Sequence, residues 1–375
     1  MQLELSGDQQ ALQESVRAVL ERECPMTLVR AVVEESKRAD ALWSRMAELD
    51  WPALVVPEDD GGLGLGFVEM AVVAEQLGRV IAPAPFLATA SQFVPAVLHA
   101  GSAEQRRRFL GAVAAGSLVG TLAVAEAAGS FEASDITTVA TPDGDGFVLD
   151  GEKHFVFDAD AADEIVVAAR RRGTEGEAGI GLFVVRADTV DVEPMTGLDA
   201  SRTYAVVRLA GVAVGADRVL GDPVARGEAL RRAVQEATVA LAAEMVGTCQ
   251  SIFDIVHAYV QEREQFGVKV GSFQAIKHKL ANMYVALESA RATTYFAAAA
   301  IAEGDERRDV AVAMAKASAG DCQKLLTTEG IQCLGGIGYT WEHDMHLYVK
   351  RAKAGAALFG TGATHLEHLS HLLGM

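Results

Sequence analysis

The 375-residue chain has little of what marks several protein classes. Its four cysteines, Cys24, Cys249, Cys322 and Cys333, stand far apart with no CxxC pair, which argues against a disulfide framework and against a thiolate metal site. Basic residues are scarce: 33 Lys plus Arg against 51 Asp plus Glu leave a net charge of −18. A nucleic-acid partner is therefore not expected, because neutralising phosphates needs a basic stripe. The start, MQLELSGDQQ, has neither the basic segment nor the apolar run of a secretory leader. The apolar stretch from Ala292 to Ala302 is half as long as a bilayer crossing requires. These absences lead to the expectation of a cytoplasmic protein with no membrane span. Aromatics make up only 6% while half the residues are hydrophobic and alanine is abundant, so closely packed helices are expected. The length suggests two or three domains.

The periodicity changes twice along the chain. Ser6 with Gln9 reads as a capping box, and Leu12, Val16, Val19 and Leu20 mark one face of the helix that follows. Pro25 ends that segment, a second helix runs through Leu42, Met46 and Leu49, and a third follows the glycine cluster of residues 61–66. Ser102 opens a further capped helix, and Arg106 to Arg108 read as its solvated face. From about Val119 strands take over. Apolar runs flank Asp150-Gly151 and predict a hairpin there, with more strands at Ile165–Ala169, Ile180–Val185 and Thr203–Leu209. After Gly221 apolar residues recur every three or four positions to the end, which predicts a helical bundle. The expected fold class is α+β: an N-terminal helical domain (1–117), a middle β domain (118–224) and a C-terminal four-helix bundle (225–375). Segregated elements of this kind exclude an alternating βαβ sheet.

Two motifs carry possible chemistry. In Arg263-Glu-Gln-Phe-Gly267, followed by Phe273-Gln274, a guanidinium beyond a long helix can clamp a pyrophosphate and a ring can pack on a nucleotide. The plain alternative is a helix C-terminus with Gly267 as its cap. In Gln332-Cys-Leu-Gly-Gly-Ile-Gly-Tyr339, adjacent glycines let backbone approach a phosphate or adenosine. An ordinary interhelical loop is the alternative.

In this order and at this distance the two motifs resemble the signature of the acyl-CoA dehydrogenase family, and Val56-Pro-Glu-Asp-Asp-Gly-Gly-Leu-Gly64 matches its N-terminal domain. The resemblance runs from about residue 5 to 370. The ending His343 to Arg351 is similar to a branch that handles bulky acyl-CoAs and forms heteromeric enzymes. The resemblance implies FAD as cofactor, an acyl-CoA substrate, an electron-transfer flavoprotein or similar acceptor, and a homo- or hetero-tetramer. It also implies that Arg263, Phe266, Gln274, Gln332, Gly335 and Gly336 hold the ADP half of a neighbouring subunit's flavin. Thr361 would touch the ADP part of the chain's own flavin.

The pattern breaks where proton abstraction belongs. The family's base sits in a Tyr-Glu-Gly-Thr stretch that here reads Leu358-Phe359-Gly360-Thr361, and its second location, 26 residues before Arg263, is Ala237. Around the flavin ring, Ala125-Glu126-Ala127 and Phe155-Val156-Phe157 lack two expected hydroxyls. Glu244 lies seven residues after Ala237 on the same helical face and interrupts an apolar stripe. It is the candidate base, with pairing to a neighbour across the bundle as its alternative; Glu236 faces about 100° away from Ala237 and ranks below it. His343 and His346 have i,i+3 spacing without a third ligand, and no metal site is expected.

Overall fold

The computed structural model describes residues 4–375; Met1 to Leu3, part of the start from which no leader was read, lie outside the described residues. The described chain forms two compact units, one of Met1–Lys37, Phe67–Pro83 and Thr238–Met375, the other of Arg38–Gly66 and Ala84–Ala237.

The first third holds α1 (Gly7–Glu23), α2 (Met26–Glu35), α3 (Asp40–Glu48), α4 (Phe67–Arg79), α5 (Phe86–Ala88), α6 (Val94–Ala100) and α7 (Ala103–Ala114). The capping box at Ser6 is formed, with Gln9 N donating to Ser6 Oγ and Ser6 N to Gln9 Oε1. Pro25 does more than end α1. It is the N-cap of α2, a helix the sequence reading passed over. Ser102 and Gln105 form a second capping box at α7. Arg107 and Arg108 are exposed, as a solvated helix face predicts, and Arg108 pairs with the exposed Asp217 at 2.7 Å. Arg106 is half-buried, 3.6 Å from the buried carboxylate of Asp60.

The strands are β1 (Gly120–Ala123), β2 (Val139–Asp143), β3 (Gly146–Phe157), β4 (Glu164–Arg171), β5 (Ile180–Arg186), β6 (Asp191–Pro194) and β7 (Tyr204–Val214). They order as β1-β4-β2-β3-β7-β6, with β5 also paired to β4. β4 runs parallel to both β1 and β2, yet only strands and a short 3-10 turn intervene in sequence, so no βαβ unit arises. The predicted hairpin at Asp150-Gly151 is not there. β3 continues through it, and the turn falls at residues 144–145. Asp150-Gly151 instead marks a register shift against β7, with Gly151 at φ +149° and Gly211 N donating to Asp150 Oδ1. The turn signal is local, whereas pairing with β7 satisfies backbone groups along the whole of β3.

Alternation sorts β4 and β5 between two cores. Val166, Ala168, Leu182 and Val184 pack with Phe93, Val97, Phe109 and Leu110 on one face; Ile165, Val167, Phe183 and Val185 pack with Leu149, Val156 and Val207 on the other. Both faces are covered, which is why these strands read as continuous apolar runs. Each large side chain buried there contributes about 1.5–3 kcal/mol.

The remaining elements are α8 (Gly227–Glu262), β8 (Glu264–Gln265), β9 (Val268–Lys269), α9 (Gln274–Glu303), α10 (Arg308–Leu334), α11 (Met345–Ala357) and α12 (Gly362–Leu372). In the first unit α10 packs against α9, α11 and α12. α4 meets α8 backbone to backbone: a Cβ on Gly78 would stand 2.0 Å from the Glu244 carbonyl oxygen, and one on Gly247 1.8 Å from that of Glu75. Among the described residues α8, not the stretch at Ala292–Ala302, is the helix long and apolar enough to cross a membrane, and 72% of its apolar window is buried within the protein.

Candidate functional site

The sequence-predicted residues fall into two exposed clusters, one helix cap and one core position. The first cluster is a hairpin. α8 stops at Glu262, and β8 and β9 pair across a two-residue loop, Phe266-Gly267, with φ +56° and +80°. Two consecutive positive φ angles are those of a type I′ turn, whose first position ordinarily holds Asn, Asp or Gly. A phenylalanine there is disfavoured, and strain of this kind is commonly found where function requires it. Gly267 thus shapes a hairpin and does not cap the helix. Phe266 is 93% exposed and meets Phe273 edge-on at 6.2 Å. The side chains of Arg263 and Gln274 are also exposed, and neither has a hydrogen-bond or ion-pair partner among the described residues. In a chain of net charge −18, an arginine without a carboxylate is a group held open for an anion.

The second cluster is a groove of about 400 Å³ where α10 ends, lined by Thr328, Gln332, Gly335, Gly336, Tyr339 and Lys353 among others. Gly335 ends α10 at φ +63°, ψ −139°, a conformation only glycine adopts readily, and it turns the chain into the 3-10 turn Gly335–Tyr339. A Cβ on Gly336 would meet nothing within 4 Å, so the backbone is open to an approaching molecule. Gln332 is exposed with no side-chain partner among the described residues, and Tyr339 is 79% exposed. Lys353 adds a cation that the motif alone did not reveal. Guanidinium and ammonium for a diphosphate, free aromatic faces for a purine and accessible glycine backbone are a donor set that fits the ADP half of a dinucleotide.

Thr361 belongs to neither cluster. It is the N-cap of α12, its Oγ1 accepting from Thr364 N at 3.2 Å. The adjoining Gly362 packs at Ala317, some ten residues and about 15 Å along α10 from the groove. Before it, Phe359 is buried at φ +52° and Gly360 lies at φ +90°.

Glu244 is 2% exposed, as its place in an apolar stripe predicts, and Arg351 Nη1 donates to its Oε1 at 2.8 Å. Arg351 is itself buried on α11. Sequence reasoning missed it, although a buried carboxylate requires a cation and Arg351 stands in the one late helix rich in basic residues. Glu236 is also buried, and its carboxylate lies 2.7 Å from His99 Nε2.

In the sheet unit, Ala125 and Phe157 are buried and Phe155 sits at φ +55° at a register shift in β3. Glu126 accepts hydrogen bonds from the backbone and hydroxyls of Thr137 and Thr138 and from Lys153 Nζ. Burial pushes its carboxyl up, but the Lys153 charge and these donors outweigh it and hold the group at about 2. Burial pulls Lys153 down to about 8 against the opposing pull of Glu126. The two histidines serve local structure: His343 Nδ1 accepts from Met345 N, and His346 stacks on Trp341 at 4.4 Å.

Models of the acyl-CoA dehydrogenase N-terminal, middle and C-terminal domains match residues 6–117, 121–212 and 226–373. The acyl-CoA dehydrogenase IpdE2 of Mycolicibacterium smegmatis is 32% identical over 97% of this chain and 98% of its own. Among solved structures, a steroid ACAD described as Tcur3481-Tcur3483 is 30% identical, covers 98% of each chain and superposes with a TM-score of 0.87. A chain solved under the subject of the electron transferring flavoprotein of Acidaminococcus fermentans is 26% identical, with a TM-score of 0.92 over 100% of this chain and 99% of its own. With all three family domains matched in order, this chain belongs to the acyl-CoA dehydrogenase family and is an FAD-dependent acyl-CoA dehydrogenase or a subunit of one.

Proposed function

We propose that this chain is the non-catalytic partner in a heteromeric acyl-CoA dehydrogenase, lending Arg263, Phe266, Gln274, Gln332, Gly335 and Gly336 to a flavin held by a homologous chain. When bound, FAD supplies the acceptor for a hydride from the β-carbon of an acyl thioester. The protein must add a base for the α-proton, and the observation that carries the proposal concerns that base. Phe359 and Ala237 cannot take a proton, and Glu244, the remaining candidate, is tied to Arg351 in the bundle core. A base held by a guanidinium has to leave that partner before it reaches substrate. The ADP-binding set, by contrast, is exposed and unpaired, as groups serving a second chain would be.

The segments 1–117, 118–224 and 225–375 are the domains of this reading, supported by the ranges of the family models. A tetramer with two copies each of this chain and a homologue, in the cytoplasm, follows from the division of labour. A bulky, steroid-like acyl-CoA is its substrate, supported by the description of the Tcur3481-Tcur3483 relative. An electron-transfer flavoprotein is its acceptor, supported by the subject of the Acidaminococcus fermentans structure.

A second reading keeps Glu244 as the base, favoured by its burial two helical turns beyond Ala237 on α8. One experiment separates the two. The chain is purified alone and together with a homologous subunit, flavin per chain and dehydrogenase activity are measured, and Glu244→Gln is tested in each. The proposal expects little flavin and no turnover alone, and FAD at one type of site in the mixed assembly. A yellow homotetramer with one FAD per chain and full activity, abolished by Glu244→Gln without loss of stability, establishes the second reading instead.

A further inference from the structure

Lys316 on α10 is fully buried, and no carboxylate pairs with it among the described residues. Its Nζ donates to the carbonyl oxygens of Gly360 at 2.8 Å and Ala356 at 3.3 Å. His365 on α12 lies with Nε2 2.8 Å from the carbonyl oxygen of Phe359. A carbonyl only accepts, so Nε2 carries the proton, and burial holds the ring neutral with its pKa down at about 4. Two side chains from two helices thus end on consecutive carbonyls of one turn. That turn is where Phe359 and Gly360 take positive φ, and a phenylalanine does so only against its own preference.

The ammonium is the informative part. Methionine would fill the same space without removing a charge from water, and burial pulls the pKa of Lys316 down to about 7. What Lys316 adds over methionine is the pair of carbonyl bonds, one to the end of α11 and one to the turn itself. Ala356 is within the last turn of α11, where carbonyls lack helical partners and a cation suits the helix dipole.

We propose that Lys316 and His365 are positioning residues that clamp residues 359 and 360 in the left-handed conformation and so fix the directions in which Phe359 and Thr361 leave the turn. The clamp itself rests on this geometry alone. Its consequence for flavin rests on the reading above that Thr361 touches the ADP part of the chain's own cofactor.

The test uses strain as its readout. Lys316→Met is made in the full chain, in whatever assembly it forms, alone and combined with Phe359→Gly or Phe359→Ala. Amide hydrogen exchange of residues 360–364 and FAD affinity are then measured. At pH 6, where Lys316 is protonated, losing these charge-assisted bonds should speed exchange at these amides by about tenfold or more. Phe359→Gly should restore protection, because glycine takes positive φ freely, whereas Phe359→Ala removes the ring and keeps the strain, and should not. A role for Lys316 in packing alone would show no such difference between the two. His365→Leu, at a half-buried position of a largely exposed helix, is the milder companion should Lys316→Met fail to fold, and the same selective rescue is expected. Unchanged exchange, or equal rescue by glycine and alanine, overturns the clamp. Altered exchange with unaltered FAD affinity upholds it and overturns the Thr361 contact instead.

Discussion

The charged groups of the bundle core and the polar groups of the hairpin and groove follow opposite rules. In the core, Glu244 meets Arg351, Lys316 meets two carbonyls, and Glu75 accepts from Arg291 and Tyr295. At the hairpin and groove, Arg263, Gln274 and Gln332 are exposed and unpaired, and Phe266 stands in solvent on a strained turn. A buried charge must find its partner within the fold, because leaving it unpaired costs several kcal/mol. An exposed one can wait for a ligand at little cost. Motif residues therefore point to function most strongly where the fold leaves them unsatisfied, and a charged residue deep in a helix points first to its neighbour.

The largest expected effect tests the core half of that contrast. Arg351→Met leaves Glu244 buried without its cation and should destabilise the chain by about 3–5 kcal/mol in urea unfolding. Adding Glu244→Met should recover most of that loss. If Glu244→Gln alone abolishes activity with no stability change, Glu244 belongs with the functional groups and the contrast fails.

Next comes the exposed half. Arg263→Ala should weaken FAD retention by about 10- to 100-fold, the worth of a charge-assisted hydrogen bond of about 1.5–3 kcal/mol, while the unfolding midpoint stays put. Unchanged flavin content would remove Arg263 from the site. Thr361→Ala sharpens the boundary between the two classes, since Thr361 is both a cap and a proposed flavin contact. Loss of the cap should cost about 1 kcal/mol in stability, and only a flavin contact would lower FAD affinity as well.

The remaining tests are in pH. Glu126 is held at about 2 in the folded chain against an ordinary 4.5. Its contribution to stability is therefore complete above pH 4.5 and is lost as pH falls toward 2; Glu126→Gln should flatten that limb of the stability profile. Lys316 runs the other way. Its folded value of about 7 lies below the ordinary 10.5, so the unfolded chain binds more protons between them and stability rises with pH across that window. Lys316→Met should reduce the rise, leaving the part that Lys153 contributes above about pH 8, and it should raise overall stability near pH 6 even as it loosens the turn at Phe359. The same rise from pH 7 to 10 in the wild type and in Lys316→Met would show that Lys316 is not shifted.

Local rules made much of this molecule legible. Ser6 and Ser102 announce their helices because the capping box lies within four residues of chain, and the apolar period of α8 and the runs of β4 and β5 record which faces are covered. The family signature was likewise readable, since Arg263 to Gly267 and Gln332 to Tyr339 are short and contiguous. What depends on distant chain was not. Asp150-Gly151 looked like a turn until β7, some sixty residues on, paired across it. Glu244 looked like a possible base until Arg351, 107 residues on, met it in the core. The clamp at Phe359 draws on three helices at once. Sequence by itself determined most of the elements and their order, because each rests on dihedral preference and periodicity within a few residues, and the two motifs were legible through their family resemblance. Tertiary structure alone decided which charges are partners and which remain open, because the cost of an unpaired buried charge is resolved only when segments far apart in the chain meet.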